Sequence, residues 1–89
     1  MSEGLDTVAA TVRAVLRDVL ALTDVRAAAL TDDTPLFGAM PELDSMAVAG
    51  LLTEIEDRVG IVIEDDEVDG EMLESFGSLV RFVGAKALR

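Results

Sequence analysis

The chemistry open to these 89 residues is narrowed first by what they lack: histidine, cysteine, tyrosine and tryptophan are all missing. Without histidine the commonest general base and the commonest neutral metal ligand are gone. Without cysteine there is no thiol nucleophile, no thiolate metal site and no disulfide framework. Hydroxyls, carboxylates and a few cations remain. The stretch that stands out is Leu43-Asp44-Ser45-Met46, a serine behind an acid where an irregular segment turns into an amphipathic pattern. Asp-Ser at a helix start is most plainly a cap, one side-chain oxygen satisfying one orphan amide. Three features favour more than that: the serine ends a long loop, the helix dipole there favours a phosphate, and no base is in sight to activate it. A serine of this kind suits modification by another enzyme, so no catalytic residue and no enzyme activity are expected.

The elements that must position Ser45 follow from periodicity. Leu5, Val8, Val12, Val15, Leu16, Val19 and Leu20 step by three and four, predicting a first helix that ends near Leu22-Thr23. Asp6, Arg13, Arg17 and Asp18 lie off that stripe and are expected to face water. Thr23 to Leu43 reads as a long connection rich in turn residues, tied down by Leu30, Leu36, Phe37 and Leu43, with a helical turn over 25–30. Asp44 or Ser45 caps a second helix running to Val59, with Gly60 as its stop. Val48, Leu51, Leu52, Ile55 and Val59 are its buried stripe; Met46, Ala49 and Thr53 run beside it at the edge of the core face. Gly50 in its middle costs about 1 kcal/mol relative to Ala, which points to a close approach there. Ile61-Val62-Ile63 has no second strand to pair with and reads as an extended apolar tie. Val68 to Leu73 is expected to form a short third helix. Ser75 caps a last helix that buries Phe76, Leu79, Val80, Val83 and Ala87, with Lys86 and Arg89 at its C-terminal end. The fold class expected is all-α: a small four-helix bundle over 1–89 as a single domain, three main helices plus one short one, with a long loop between the first two.

The net charge of −11, from 18 acidic and 7 basic residues, repels phosphate backbones and attracts basic protein surfaces. Nucleic-acid binding is excluded on that sign, and no apolar run reaches the ~18 residues of a membrane span. A cytoplasmic monomer is expected. Ten acids against the single base Arg58 lie between Glu54 and Glu74. Most of this band serves solubility; Glu54, Glu56 and Asp57, close to Ser45 along the second helix, are assigned to steering of basic partners. Asp65 to Gly70 begins like a calcium loop, but the twelfth position, which needs a bidentate Glu, is Phe76, so no metal site is expected. Met40, Met46 and Met72 read as gap-filling side chains, with a pocket for an apolar chain between Met46 and Met72 as the other reading.

Asp44-Ser45-Met46 opening the second helix of a small acidic helical chain resembles the acyl carrier protein family, whose motif is Asp-Ser-Leu. The resemblance covers most of the chain, including Leu36-Phe37, the Ile63 to Glu67 stretch and the closing helix from Phe76 to Val83. It implies that Ser45 carries 4′-phosphopantetheine, installed from coenzyme A by a phosphopantetheinyl transferase. The arm's thiol would then carry an acyl group as a thioester. It also implies that Asp44, Met46 and Ala49 flank the arm and meet acyl-loading and acyl-transferring enzymes with basic docking surfaces, and that Glu56 and Asp57 belong to the acidic recognition face. The chain departs from the family pattern at Met46, at Ala49 where a valine is usual, and at Gly50 where fatty-acid carriers have an acid. The Gly38 to Leu43 approach is longer, and two extra residues sit near Met72-Leu73. These departures point to a specialised carrier, as in polyketide or exopolysaccharide biosynthesis, rather than the central fatty-acid one. The Leu-Asp-Ser-Met form is similar to D-alanyl carrier proteins, and the Pro-Glu-Leu-Asp-Ser-Met run is similar to carriers of bacterial exopolysaccharide and exosortase loci; a D-alanyl or amino-acyl carrier of the same fold is the alternative. Outside the family, the remaining reading is an acidic helical interaction module whose serine is only a cap.

Overall fold

The computed structural model of the chain describes residues 3–88, from the backbone alone at Glu3. It contains α1 (Glu3–Val19), α2 (Asp24–Ala28), α3 (Ser45–Val59), a 3-10 turn (Asp65–Glu67) and α4 (Phe76–Ala87). The all-α, four-helix expectation holds. The short helix, however, is α2, inside the first long connection, and not residues 68–73. In that later stretch the Asp69 side chain takes the Met72 amide at 2.9 Å, a local bond that competes with helix. Just before it, Glu64 and Glu67 close a capping box on the 3-10 turn Asp65–Glu67.

α1 is the element the others share: α3, α4 and α2 all pack against it. Its stripe Val8, Val12, Val15 and Leu16 is buried together with Leu51 and Ile55 of α3 and with Phe76, Leu79, Val80 and Val83 of α4. Burying one such side chain stabilises the fold by about 1.5–3 kcal/mol, so Leu51 and Ile55 suffice to fix which face of α3 turns outward. α1 ends at Val19, three residues before the expected limit, because Ala21 takes a left-handed φ of 55°. Leu20 and Leu22 stay buried beyond that break.

Arg13 does not face water. Its Nη1 donates to the carbonyls of Ala27 at 2.6 Å and Leu30 at 2.9 Å, and its guanidinium lies over the Phe76 ring. The C-terminal carbonyls of α2 need donors, and a half-buried arginine on the neighbouring helix supplies them.

The rest of the first connection is stitched to the entry of α4 by backbone bonds. Leu36 N donates to Glu74 O, Phe37 N to Leu73 O, Phe76 N to Thr34 O and Gly77 N to Asp32 O, all at 2.9–3.0 Å. The pairing is extended at Pro35, bridged to Ser75, and the chain turns over 37–39. Leu36 is fully buried and Phe37, expected as an anchor, is turned out and 48% exposed. Leu30 and Leu43 are buried as expected. Alternation governs the tie after α3: Ile61 and Ile63 pack on the core while Val62 is 67% exposed. Gly50 meets no close neighbour; a Cβ there would find only Val19 Cγ1 at 3.9 Å, an ordinary contact. Ser75 caps α4 with a full capping box. Lys86 reaches back from α4 to Glu67 at 2.8 Å, Ala87 is half-buried, and Arg89 lies outside the described residues.

Candidate functional site

The expected boundary of α3 holds at both ends. Asp44 is its N-cap, with Oδ1 accepting the Ala47 amide at 2.8 Å. Gly60, in the left-handed region at φ 80°, ends it. Since Asp44 does the capping, Ser45 is the first helical residue and its hydroxyl is not spent on the helix. Among the described residues Ser45 Oγ takes part in no hydrogen bond. The Val48 amide goes to the Asp44 carbonyl, and the amides of Ser45 and Met46 open the helix toward solvent. The hydroxyl therefore stands in the first turn of α3, at the positive end of its dipole. That is a setting for an attached phosphate.

The serine is held from both sides by residues that are themselves fixed. Upstream, Leu43 is buried and its amide donates to Met40 O at 3.0 Å, while Met40 and Ala39 donate to Leu36 O. Downstream, Ala47 and Val48 pack on the core and Leu51 is fully buried. Between these anchors Asp44, Ser45 and Met46 are all exposed. Met46, expected at the edge of the core face, is 85% exposed and stands as a bare apolar side chain beside Ser45. It does not line a pocket with Met72. Met72 is buried and borders an open groove with Glu67, Asp69, Glu71, Glu74 and Phe82.

Met46, Ala49, Gly50, Thr53 and Asp57 are all exposed, and their spacing puts them on one face of α3. That face is uncharged until Asp57. The other two acids assigned to steering already have partners within the chain, Glu54 at the surface and Glu56 part-buried. Glu54 pairs with Arg58 at 2.9 Å, and Arg58 also pairs with Asp18 of α1 at 2.8 Å. Glu56 accepts the Ile63 amide at 2.7 Å and so tethers the segment that follows α3. Burial, which the apolar stripe alone does not disclose, separates Asp57 from its two neighbours.

One site contact has no signal in the periodicity. Arg26 on α2 forms an ion pair with Glu42, three residues before Ser45. The Arg26 guanidinium, through its hydrogen bond first and its positive charge as well, holds the Glu42 carboxyl below its ordinary range, helped by Glu42's own amide.

The sequence model of the family described as "Phosphopantetheine attachment site" matches residues 10–83. Among solved structures, the chain is similar to the solution NMR structure of a holo acyl carrier protein from Nitrosomonas europaea. The two are 40% identical, over 92% of this chain and 96% of that one, with a TM-score of 0.81. No curated protein matches the chain. The exposed, unspent hydroxyl at a helix N-terminus fits the phosphodiester that this family's covalent cofactor, 4′-phosphopantetheine, requires. With both the matched span and the site geometry in agreement, the chain belongs to the phosphopantetheine-binding acyl carrier proteins, which are carriers and not enzymes.

Proposed function

We propose that Ser45 is the attachment residue and that the chain, as a single carrier domain over 1–89, presents a thioester-bound acyl group to successive enzymes. The observation that carries this reading is the division of labour at the helix start: Asp44 caps, and Ser45 is left exposed and unbonded. When attached, 4′-phosphopantetheine supplies the thiol that a chain without cysteine lacks. Asp44, the neighbouring carboxylate, is engaged with the Ala47 amide, so the phosphopantetheinyl transferase takes the Ser45 proton while Oγ bonds to the pantetheine-bearing phosphorus of coenzyme A, the pyrophosphate P–O bond breaks and 3′,5′-ADP leaves.

Met46 and Ala49 flank the arm, and with Asp57 they form the first contact for acyl-loading and acyl-transferring enzymes. Glu54 and Glu56 add to the negative field on this side while their carboxylates keep their partners within the chain. The net charge of −11 supports a dispersed, monomeric, cytoplasmic protein that draws in basic partner surfaces. Among the described residues no helix is long and apolar enough to cross a membrane.

Apo protein incubated with coenzyme A and a promiscuous transferase should gain one phosphopantetheine by mass, and Ser45→Ala should gain none. No mass gain with several transferases, or a gain that survives Ser45→Ala, would overturn the assignment.

A further inference from the structure

Among the described residues the Arg26–Glu42 pair is the side-chain hydrogen bond that links α2 to the approach to Ser45. α2 is itself a fixed point. Arg13 of α1 donates to Ala27 O and Leu30 O at its C-terminal end, and Arg17 lies 3.7 Å from Asp24 at its first residue. At the other side of the pair, Glu42 precedes buried Leu43, and Glu42 Oε1 is enclosed, with no partner of full hydrogen-bond geometry among the described residues. A chain of contacts therefore runs from α1 through α2 and Arg26 to Glu42, and from there over two residues to Asp44 and Ser45. Residues 36–43 are turned by the backbone bonds of Ala39 and Met40 to Leu36 O and of Leu43 to Met40 O, and the Arg26–Glu42 pair adds a side-chain tie from this turn to α2.

From this we infer that Arg26 and Glu42 are positioning residues: their ion pair presets the loop before Ser45 in the arrangement the modifying enzyme must receive. The inference rests on the assignment of Ser45 as the attachment residue. A nucleophile held near its reactive placement loses less freedom on entering a partner's active site. Both side chains are partly exposed, so the effect is limited to what a surface pair can supply.

The test uses the full chain with coenzyme A and one transferase. Wild type and variant compete in the same tube and are told apart by mass, so the label ratio gives the ratio of kcat/KM. Arg26→Gln and Glu42→Gln should each fall about two- to fivefold below wild type, the range an exposed pair supports. The double exchange R26E/E42R should return toward wild type. Amide hydrogen exchange over 40–47 should be faster in both single variants, recover in the exchange variant and stay unchanged in α4, which separates a local effect from a general loss of stability. Labelling at parity with wild type overturns the inference. So does loss in Glu42→Gln alone, which would make Glu42 a direct contact of the transferase. If wild type takes no label, the attachment assignment has failed, and unchanged exchange over 40–47 would still decide against the positioning role by itself.

Discussion

The guanidinium of Arg13 lies 4.9 Å from the centroid of the Phe76 ring while its Nη1 donates to two carbonyls at the end of α2. One side chain on α1 thus joins the short helix of the connection to the first turn of α4. Charged donors to neutral acceptors are worth about 1.5–3 kcal/mol. Arg13→Met keeps the apolar stem but removes the donors, and should cost about 2 kcal/mol in urea unfolding. Arg13→Lys should recover only part of this, because an ammonium lacks the planar fork that stacks on a ring. A lysine variant as stable as wild type would show that charge alone matters here.

Gly77 sits at a tight approach between α4 and the first connection. A Cβ added there would lie 2.8 Å from Asp32 O and 2.9 Å from Asp32 Cβ, and Gly77 N is already bonded to that oxygen. Backbone has to move to make room. Gly77→Ala should cost about 1–3 kcal/mol, whereas Gly70→Ala, with open space around it, should fall within about 0.5 kcal/mol of wild type. Equal effects at the two positions would mean that the approach at Gly77 relaxes freely.

The contrast between these two residues and the helix stripes shows which parts of the fold are legible in one dimension. Val12, Leu51 and Leu79 announce themselves because burial repeats every three or four residues along one helix, and Asp44 and Gly60 because caps are local chemistry. Backbone bonds between 32–37 and 73–77 join segments some forty residues apart with no side-chain pattern to mark them. The same holds for Arg13: a helical wheel puts it off the stripe, and only the packed position of α2 shows that carbonyls wait there. Phe37 is misjudged for a related reason. Its hydrophobicity marks it for burial, but the chain turns outward at 37–39 just after buried Leu36, and Phe37 goes out with the turn. Ser45 was legible as a motif, while the partition of duties between it and Asp44 needed the cap geometry.

Ala21 carries a left-handed φ of 55° on an exposed site at the end of α1. A non-glycine residue pays about 1–2 kcal/mol for that conformation, and part of this is recovered by glycine after its larger loss of chain freedom. Ala21→Gly should therefore raise stability by about 0.5 kcal/mol, and Ala21→Val should lower it. Destabilisation by glycine would contradict the strain.

Two carboxyls tie stability to pH. Arg58, with Arg17 beside it, holds Asp18 below its ordinary range, and Arg26 does the same to Glu42. In the unfolded chain these groups bind protons more readily, so acid favours unfolding. Their contribution is fully present above the unfolded values, about 3.9 for Asp and 4.3 for Glu, and is lost as pH falls through the lower folded values. The other carboxylates of this acidic chain also titrate there, so the clean quantity is a difference. The stability gap between wild type and Glu42→Gln should be widest at pH 6 and close toward pH 3. A gap that does not change with pH would mean the pair adds nothing to the fold.

Asp44 and Ser45 should separate completely by phenotype. Asp44 accepts the Ala47 amide, so Asp44→Ala removes a cap and should cost about 1 kcal/mol. The Ser45 hydroxyl remains, and the variant should still take phosphopantetheine below its unfolding transition, at a lower rate because the first turn is less ordered. Ser45→Ala should do the reverse, staying within about 0.5 kcal/mol of wild type and taking no label. Alanine at 45 destabilising as much as alanine at 44 would make the serine a structural residue after all. That outcome would remove the observation on which its role as the attachment point stands.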